Sequence, residues 1–395
     1  MLSTHRTVTR LAGLLVVASF VFAACSSASG SASPAASTGT PASAPASVGA
    51  SAEASSGAGN MDALIAAAKA EGGLNTIALP RDWCNYADII DGFTAKYGIP
   101  INGLNPGGGS KDEIEAIKAN KDNPGPQAPD VVDVGLSYGP QGVTEGLYAP
   151  YKVSNWDTIP DSAKDADGNW YGDYYGVLSF EVNTSAVKNV PKDWADLLKP
   201  EYKNQVALAG DPTASNQATS GVWASGFAEG GSLDNAEPGL QFFKKLNDAG
   251  NFVPVIGNAT TVASGETPIR IAWTYNALAD KDSLKGNPPI EVVVPTTGRF
   301  GGLYVQAISK YAPHPNAAKL WMEYIYSDEG QNAYLKGYCV PARHEDMVTK
   351  GTVNAESEAK LPDTKGVVLP TQDQITKASE VITKGWPTTV GVQVQ

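Results

Sequence analysis

The residue types able to do chemistry in this 395-residue chain cluster in short, glycine-marked turns. Gly135-Leu136-Ser137-Tyr138-Gly139 matches Gly-x-Ser-x-Gly, the sharp strand-to-helix elbow that exposes a nucleophilic serine. With a glycine-rich loop upstream as oxyanion hole and His314 downstream, it frames one reading, a membrane-anchored α/β serine esterase using Ser137. The weak point is the histidine. His314 directly precedes Pro315 and an amphipathic helix, no acid stands at a strand end before it, and the chemistry needs a base within hydrogen-bond reach of the serine. A second pattern is Asn105-Pro106-Gly107-Gly108-Gly109-Ser110. Its glycines let the backbone approach a ligand, and the amides opening the next helix favour an anion, although Ser110 could equally serve only as the helix cap. Asp211, Thr213 and Ser215 make a comparable helix start further along.

The ends and composition narrow the class. His5, Arg6 and Arg10 precede a 14-residue apolar run, Leu11 to Ala24, too short for a bilayer core that takes about 20 helical residues. Residues 1–24 therefore read as a signal peptide. The run closes in Phe22-Ala23-Ala24-Cys25, which resembles the bacterial lipobox, with Phe22 where leucine is usual. Cys25 is then the lipidated first residue of the mature protein, anchored to the outer face of the cytoplasmic membrane, periplasmic or at the cell surface. The competing reading is ordinary cleavage that leaves Cys25 a spare thiol. Residues 25–60 are nearly all Ser, Ala, Gly, Pro and Thr, with Glu53 the only charge, and cannot bury enough apolar surface to order themselves, so they read as a tether. The net charge of -12, about -14 once Arg6 and Arg10 are removed, excludes a nucleic-acid partner, which needs a basic footprint. No cofactor is implied. Cys84 and Cys339 form an even pair in an exported chain and invite a disulfide, which closing so long a loop makes worth roughly 5 kcal/mol. Two buried thiols remain the alternative, since spacing does not show proximity.

Strands alternate with amphipathic helices from residue 62 onward, an α/β pattern. Helices are expected over 62–71 and 85–97, with strands over 74–79, 99–104 and 130–134, an order that predicts a parallel sheet with ligand-binding turns at the carboxyl ends of its strands. Ser110 followed by Glu113 reads as a capping box opening the next helix. Residues 170–182 read as a strand, 192–199 as a short helix and 206–209 as a strand. Helices over 216–227 and 237–247 come next, then strands at 269–273, 290–294 and 302–308 and a helix from Pro315 to Tyr326. No repeat of 20 to 50 residues is present.

Several stretches together resemble the type 2 periplasmic-binding-protein family, specifically the extracellular solute-binding proteins of bacterial ABC transporters grouped with ferric iron, thiamine, aminoethylphosphonate and polyamine binders. They are Pro129-Asp130-Val131-Val132, the run Trp194 to Lys203, Asp211-Pro212, Gly265-Glu266-Thr267-Pro268, Pro315 to Leu320 and Ser327 to Gln331. The resemblance implies a two-lobed α/β fold with a ligand cleft between the lobes: 61–181 first lobe, 182–300 second lobe, 301–395 the rest of the first lobe with C-terminal helices. It implies a monomer that delivers a small-molecule ligand to an ABC permease. By the same resemblance, Asp82, Trp83 and Tyr86 after the first strand, Ser110, Ser137, Tyr138, Asp211, Thr213, Ser215, and Trp273, Tyr275 and Asn276 after a second-lobe strand line the cleft. Facing helix starts suit a phosphonate, a carboxylate or a metal-bound anion, and a polyamine is the cationic option. Tyr174-Tyr175 resembles the tyrosine pair of ferric binders but precedes the first lobe crossing, and iron also wants histidine and carboxylates, so Tyr175 enters as cleft lining and no metal set is assigned.

Overall fold

A computed structural model describes residues 58–395. The expected signal peptide, the expected lipidation site at Cys25 and the expected tether up to residue 57 lie outside the described residues. Helix α1 (Ala58–Glu71) begins slightly before the expected start, and Gly72, in a left-handed conformation, stops it. Then come β1 (Leu74–Ile77), α2 (Tyr86–Tyr97), β2 (Ile101–Leu104), α3 (Ser110–Asn120), β3 (Val131–Gly135), α4 (Tyr138–Thr144) and β4 (Tyr148–Ala149). The long β5 (Tyr171–Asn183) leads through short 3-10 turns to β6 (Val206–Leu208), α5 (Asn216–Ala228), α6 (Glu237–Asp248), α7 (Ala259–Ser264), β7 (Ile269–Trp273), α8 (Thr274–Leu284) and β8 (Ile290–Val293). The chain closes with β9 (Gly301–Ser309), α9 (Pro315–Ile325), α10 (Asp328–Lys336), β10 (Val340–Pro341), α11 (His344–Lys350), α12 (Ala355–Glu358) and α13 (Gln372–Thr389).

The sheet differs from the parallel expectation. β1 and β2 pair parallel, as do β6 and β7, but β3 pairs antiparallel with β9. The chain returns β9 from beyond residue 300 between β3 and β5, a long-range insertion that a local strand-helix pattern cannot reveal. β5 organises the molecule. Its first half, Tyr171 to Val177, pairs with β9, and its second half, Leu178 to Asn183, pairs with β7 and β8. One continuous strand thus serves two groups of elements, and the chain recrosses beside it where Leu178 N–H donates to the Phe300 carbonyl at 2.9 Å.

Packing follows the amphipathic faces. In α2, Tyr86, Ile89 and Phe93 are buried on one face, with the Phe93 ring edge-on to Trp321 of α9. Glu71 closes α1 onto α9, its carboxylate accepting from the Asn316 and Ala317 N–H groups at 2.9 and 2.8 Å, the anionic partner a helix start favours. The C-terminal α13 packs on α5 and α6, with Trp386 wedged against Phe243 and Phe252. The terminal backbone continues that contact, with Ile256 N–H donating to the Gln395 carbonyl at 3.1 Å.

Candidate functional site

The turns after β1, β2 and β3 converge with the start of α5 around a cavity of about 440 Å³. Trp83 is held over it by its indole N–H, which donates to Tyr174 OH at 2.6 Å, and its ring meets Tyr275 and Tyr304 edge-on at 5.2 and 5.5 Å. The loop carrying Trp83 cannot drift, because the next residue, Cys84, is joined to Cys339 in a disulfide with Cα atoms 5.7 Å apart. Asp82, exposed, stands at the mouth beside it.

Gly107, Gly108, Gly109 and Ser110 form the opposite edge. Here the cap differs from the capping box expected of Ser110 and Glu113. Gly109 is the cap residue and Asp112 accepts its N–H at 2.9 Å. Ser110 is freed to accept the Gly135 N–H at 3.0 Å, and Glu113, buried, accepts the Asp133 N–H at 2.9 Å. The first turn of α3 is thereby bolted to the end of β3. On the facing wall Asp211 organises a turn by accepting Thr213 N–H and Oγ1 at 2.8 and 2.9 Å, and Ser215 caps α5 through the Ala218 N–H. The two walls approach closely. A Cβ on Gly135 would lie 2.4 Å from Asn216 Cγ, and one on Gly109 would lie 3.6 Å from the Ala214 carbonyl. Gly109 N–H is taken by Asp112 and Ser215 N–H by the Asp211 carbonyl at 2.7 Å, so what the two starts bring to the cavity is their positive ends, with the first-turn N–H groups of Ser110 and Asn216 lacking acceptors within their own helices.

The floor is a polar cluster inside an aromatic one. Asp133, in mid-β3, accepts Tyr174 OH at 2.7 Å and Tyr86 OH at 2.8 Å, both on Oδ2. Gln306 from β9 donates to Tyr86 OH and to Asp173 Oδ2 at 2.9 and 3.1 Å. Burial away from water pushes the Asp133 carboxyl up to about 7, the two tyrosine hydroxyls only partly opposing it. Glu113 and Asp173 are pushed well above the usual carboxylate range by the same burial, reinforced by the neighbouring Asp133 charge. The carboxylates lining the cavity are Asp82, Asp112, Glu113, Asp133 and Asp211, and no Lys, Arg or His stands among its described lining residues.

Of the expected residues, Asp82, Trp83, Ser110, Asp211 and Ser215 line this cavity. Tyr86 is instead fully buried beneath it, because it falls in phase with Ile89 and Phe93 on the core face of α2. Trp273 and Tyr275 are buried behind Tyr304 and Trp83, with Trp273 N–H and the Asn276 amide both turned to Gln217 Oε1. Tyr175 points to the other sheet face from Tyr174, as strand alternation requires, and is half-buried away from the cavity. Ser137, Tyr138 and Thr213 line a neighbouring groove of about 730 Å³ bounded by α3, α4, α5 and α13. His314 engages Asp130, its N–H and Nδ1 at 2.7 and 2.8 Å from that carboxylate. Glu113, Asp133, Asn216, Gln217 and Tyr304 are lining residues that sequence reasoning missed. A lone acid in the apolar run Val131-Val132-Asp133-Val134 is the signal that could have found Asp133, since buried acids are rare without a purpose.

Residues 127–378, more than half of the chain, match the bacterial extracellular solute-binding proteins. An uncharacterised protein of Haemophilus influenzae is 29% identical over 293 residues, 69% of this chain and 80% of its own length. A putative 2-aminoethylphosphonate-binding periplasmic protein of Salmonella typhimurium is 26% identical over 254 residues, 62% of this chain and 70% of its own length. Among solved structures, the periplasmic binding protein AfuA of Actinobacillus pleuropneumoniae, with fructose-6-phosphate bound, superposes with a TM-score of 0.62 at 24% identity, covering 81% of this chain and 98% of its own. The α/β fold is therefore the two-lobed periplasmic-binding fold, with a cleft between the lobes. This chain belongs to the bacterial extracellular solute-binding proteins, exported receptors of ABC importers that bind small ligands for a permease, and it is not an enzyme.

Proposed function

We propose that this protein is a lipid-anchored receptor that captures a small solute bearing an anionic group, such as a phosphonate, and carries it to its permease. The observation that supports this most is the pair of helix starts, Gly109-Ser110 of α3 and Ser215-Asn216 of α5, lining one cavity from two walls. The positive ends of both helices, with first-turn amides that have no acceptor within their own helices, favour an anion there without any basic side chain. The Salmonella relative is named for a phosphonate and AfuA holds a sugar phosphate, which supports the same ligand class. In this reading residues 1–24 are removed, Cys25 carries the lipid, residues 25–60 are the tether, and a monomer works above the membrane. The lobes divide near residues 181 and 300, beside the β5 crossing.

A polyamine is the second reading, favoured by the five carboxylates of the lining. A ferric complex has less support. Tyr174 OH is committed to Asp133, Tyr175 faces away, and no group of three His, Cys, Asp or Glu suited to a metal occurs among the described residues. Calorimetric titration of the lipid-free mature chain with ethylphosphonate and with putrescine separates the first two. Heat of binding from the phosphonate supports the anion site, and binding of putrescine alone overturns it.

A further inference from the structure

The cleft holds more acid than an anion receptor needs. Resting on the anion site above, we infer that Asp133 Oδ1 receives an ammonium group, so that the ligand is a short zwitterion whose cationic end lies on β3 and whose anionic end lies on the helix starts. Asp133 is only 5% exposed, yet it lines the cavity. Both tyrosine hydroxyls bond its Oδ2, whereas Oδ1 has no hydrogen-bond partner in the protein. A buried carboxylate oxygen left unpaired is costly, and a ligand N–H on a positive nitrogen is the partner that compensates most strongly.

The surroundings fit that role. Tyr86 and Tyr174 hold the carboxylate in one orientation, and they are themselves fixed by Gln306 and by the Trp83 indole N–H. Trp83 and Tyr304 supply aromatic lining beside it, surfaces that attract cations. The cavity's described lining contains no Lys, Arg or His that could take the Asp133 charge instead. Spacing sets the ligand's length. The Ser110 hydroxyl at the start of α3 bonds Gly135 N–H, and Asp133 lies two residues earlier on the same strand face, roughly 7 Å away at about 3.3 Å per residue. That span accommodates a spacer of two or three carbons between the charged groups. A long polyamine or a sugar ring fits it less well.

Comparing 2-aminoethylphosphonate with ethylphosphonate by calorimetry at one pH tests the inference, because the pair differs only in the ammonium group. Wild-type protein is expected to bind the amino compound at least about tenfold more tightly, the lower end for a charged hydrogen bond. Asp133→Asn should narrow the preference below about threefold while ethylphosphonate binding persists. Equal affinity of the two phosphonates for the wild type overturns the zwitterion and leaves the anion site standing. An undiminished preference in folded Asp133→Asn overturns the role of Asp133 in the same way. Failure of both phosphonates to bind overturns the anion site and this inference together. Because the wild-type ratio needs no variant, the test survives an Asp133→Asn that does not fold.

Discussion

The two walls of the cleft reach the same shape by different means. The wall built from β1, β3 and α3 is braced from behind by buried, long-range bonds, with Asp133, Asp173 and Glu113 among tyrosines and the Cys84–Cys339 disulfide pinning its loop. The wall at α5 is closed locally, since Asp211 and Ser215 satisfy N–H groups two or three residues away. A wall held by distant partners keeps its side-chain geometry only while the whole fold is intact, and it can fix a charge in an unfavourable place. A wall held by its own turn is cheap to specify but offers mainly backbone. We connect the first with selectivity for one end of the ligand and the second with capture of the other.

The largest effect that separates the walls is expected from the disulfide. Replacing Cys84 and Cys339 with serine should lower unfolding free energy by about 2–5 kcal/mol, measured by chemical denaturation. Hydrogen exchange should rise first in the loop at residues 80–85. Loosening that appears first at residues 211–216 would break the contrast.

The next effect is pH dependence, and it belongs to the braced wall. Asp133 sits at about 7 in the folded protein against 3.8 ordinarily, so the folded state holds its proton where the unfolded chain has released it. Stability from this group is complete below about pH 4 and declines as pH rises to about 7, by up to about 4 kcal/mol at 1.36 kcal/mol per pKa unit. The groups around it are Glu113 on α3, Tyr86 on α2, Asp173 and Tyr174 on β5, Tyr275 on α8, Tyr304 on β9 and Tyr334 on α10. Glu113 and Asp173 are shifted in the same direction and steepen the decline. Asp133→Asn should flatten it, as followed by thermal unfolding across pH 4–8.

Smaller effects test the meeting of the walls. Gly135→Ala drives a Cβ to within 2.4 Å of Asn216, so ligand affinity should fall by about tenfold or more, an overpacking cost of about 1–3 kcal/mol where the two walls meet. Ser215→Ala removes only a local cap and should cost about 1 kcal/mol of stability with a modest loss of phosphonate affinity. A larger loss from Ser215→Ala than from Gly135→Ala would reverse the ranking.

What could be seen in the sequence divides along the same line. The glycine turn at Gly107–Gly109 and the cap at Ser215 are legible because turn and cap chemistry lies within four residues, although the cap of α3 falls on Gly109 and not on Ser110. The braced wall is not legible. Asp133 takes its partners from positions 86 and 174, and β9 enters beside β3 from beyond residue 300. No local period records such pairings, and this is also why the first sheet was expected to be parallel. Tyr86 was open to correction, since its phase with Ile89 and Phe93 already placed it on a core face.

The most direct test of the central claim, a cleft that closes on a small charged solute with an anionic group, is thermal unfolding of the mature chain with 2-aminoethylphosphonate. At one hundred times the dissociation constant, binding to the native state alone should add about 2.7 kcal/mol and raise the melting temperature with concentration. An unchanged melting temperature up to millimolar ligand, beside a clear rise with ferric salts, would contradict it.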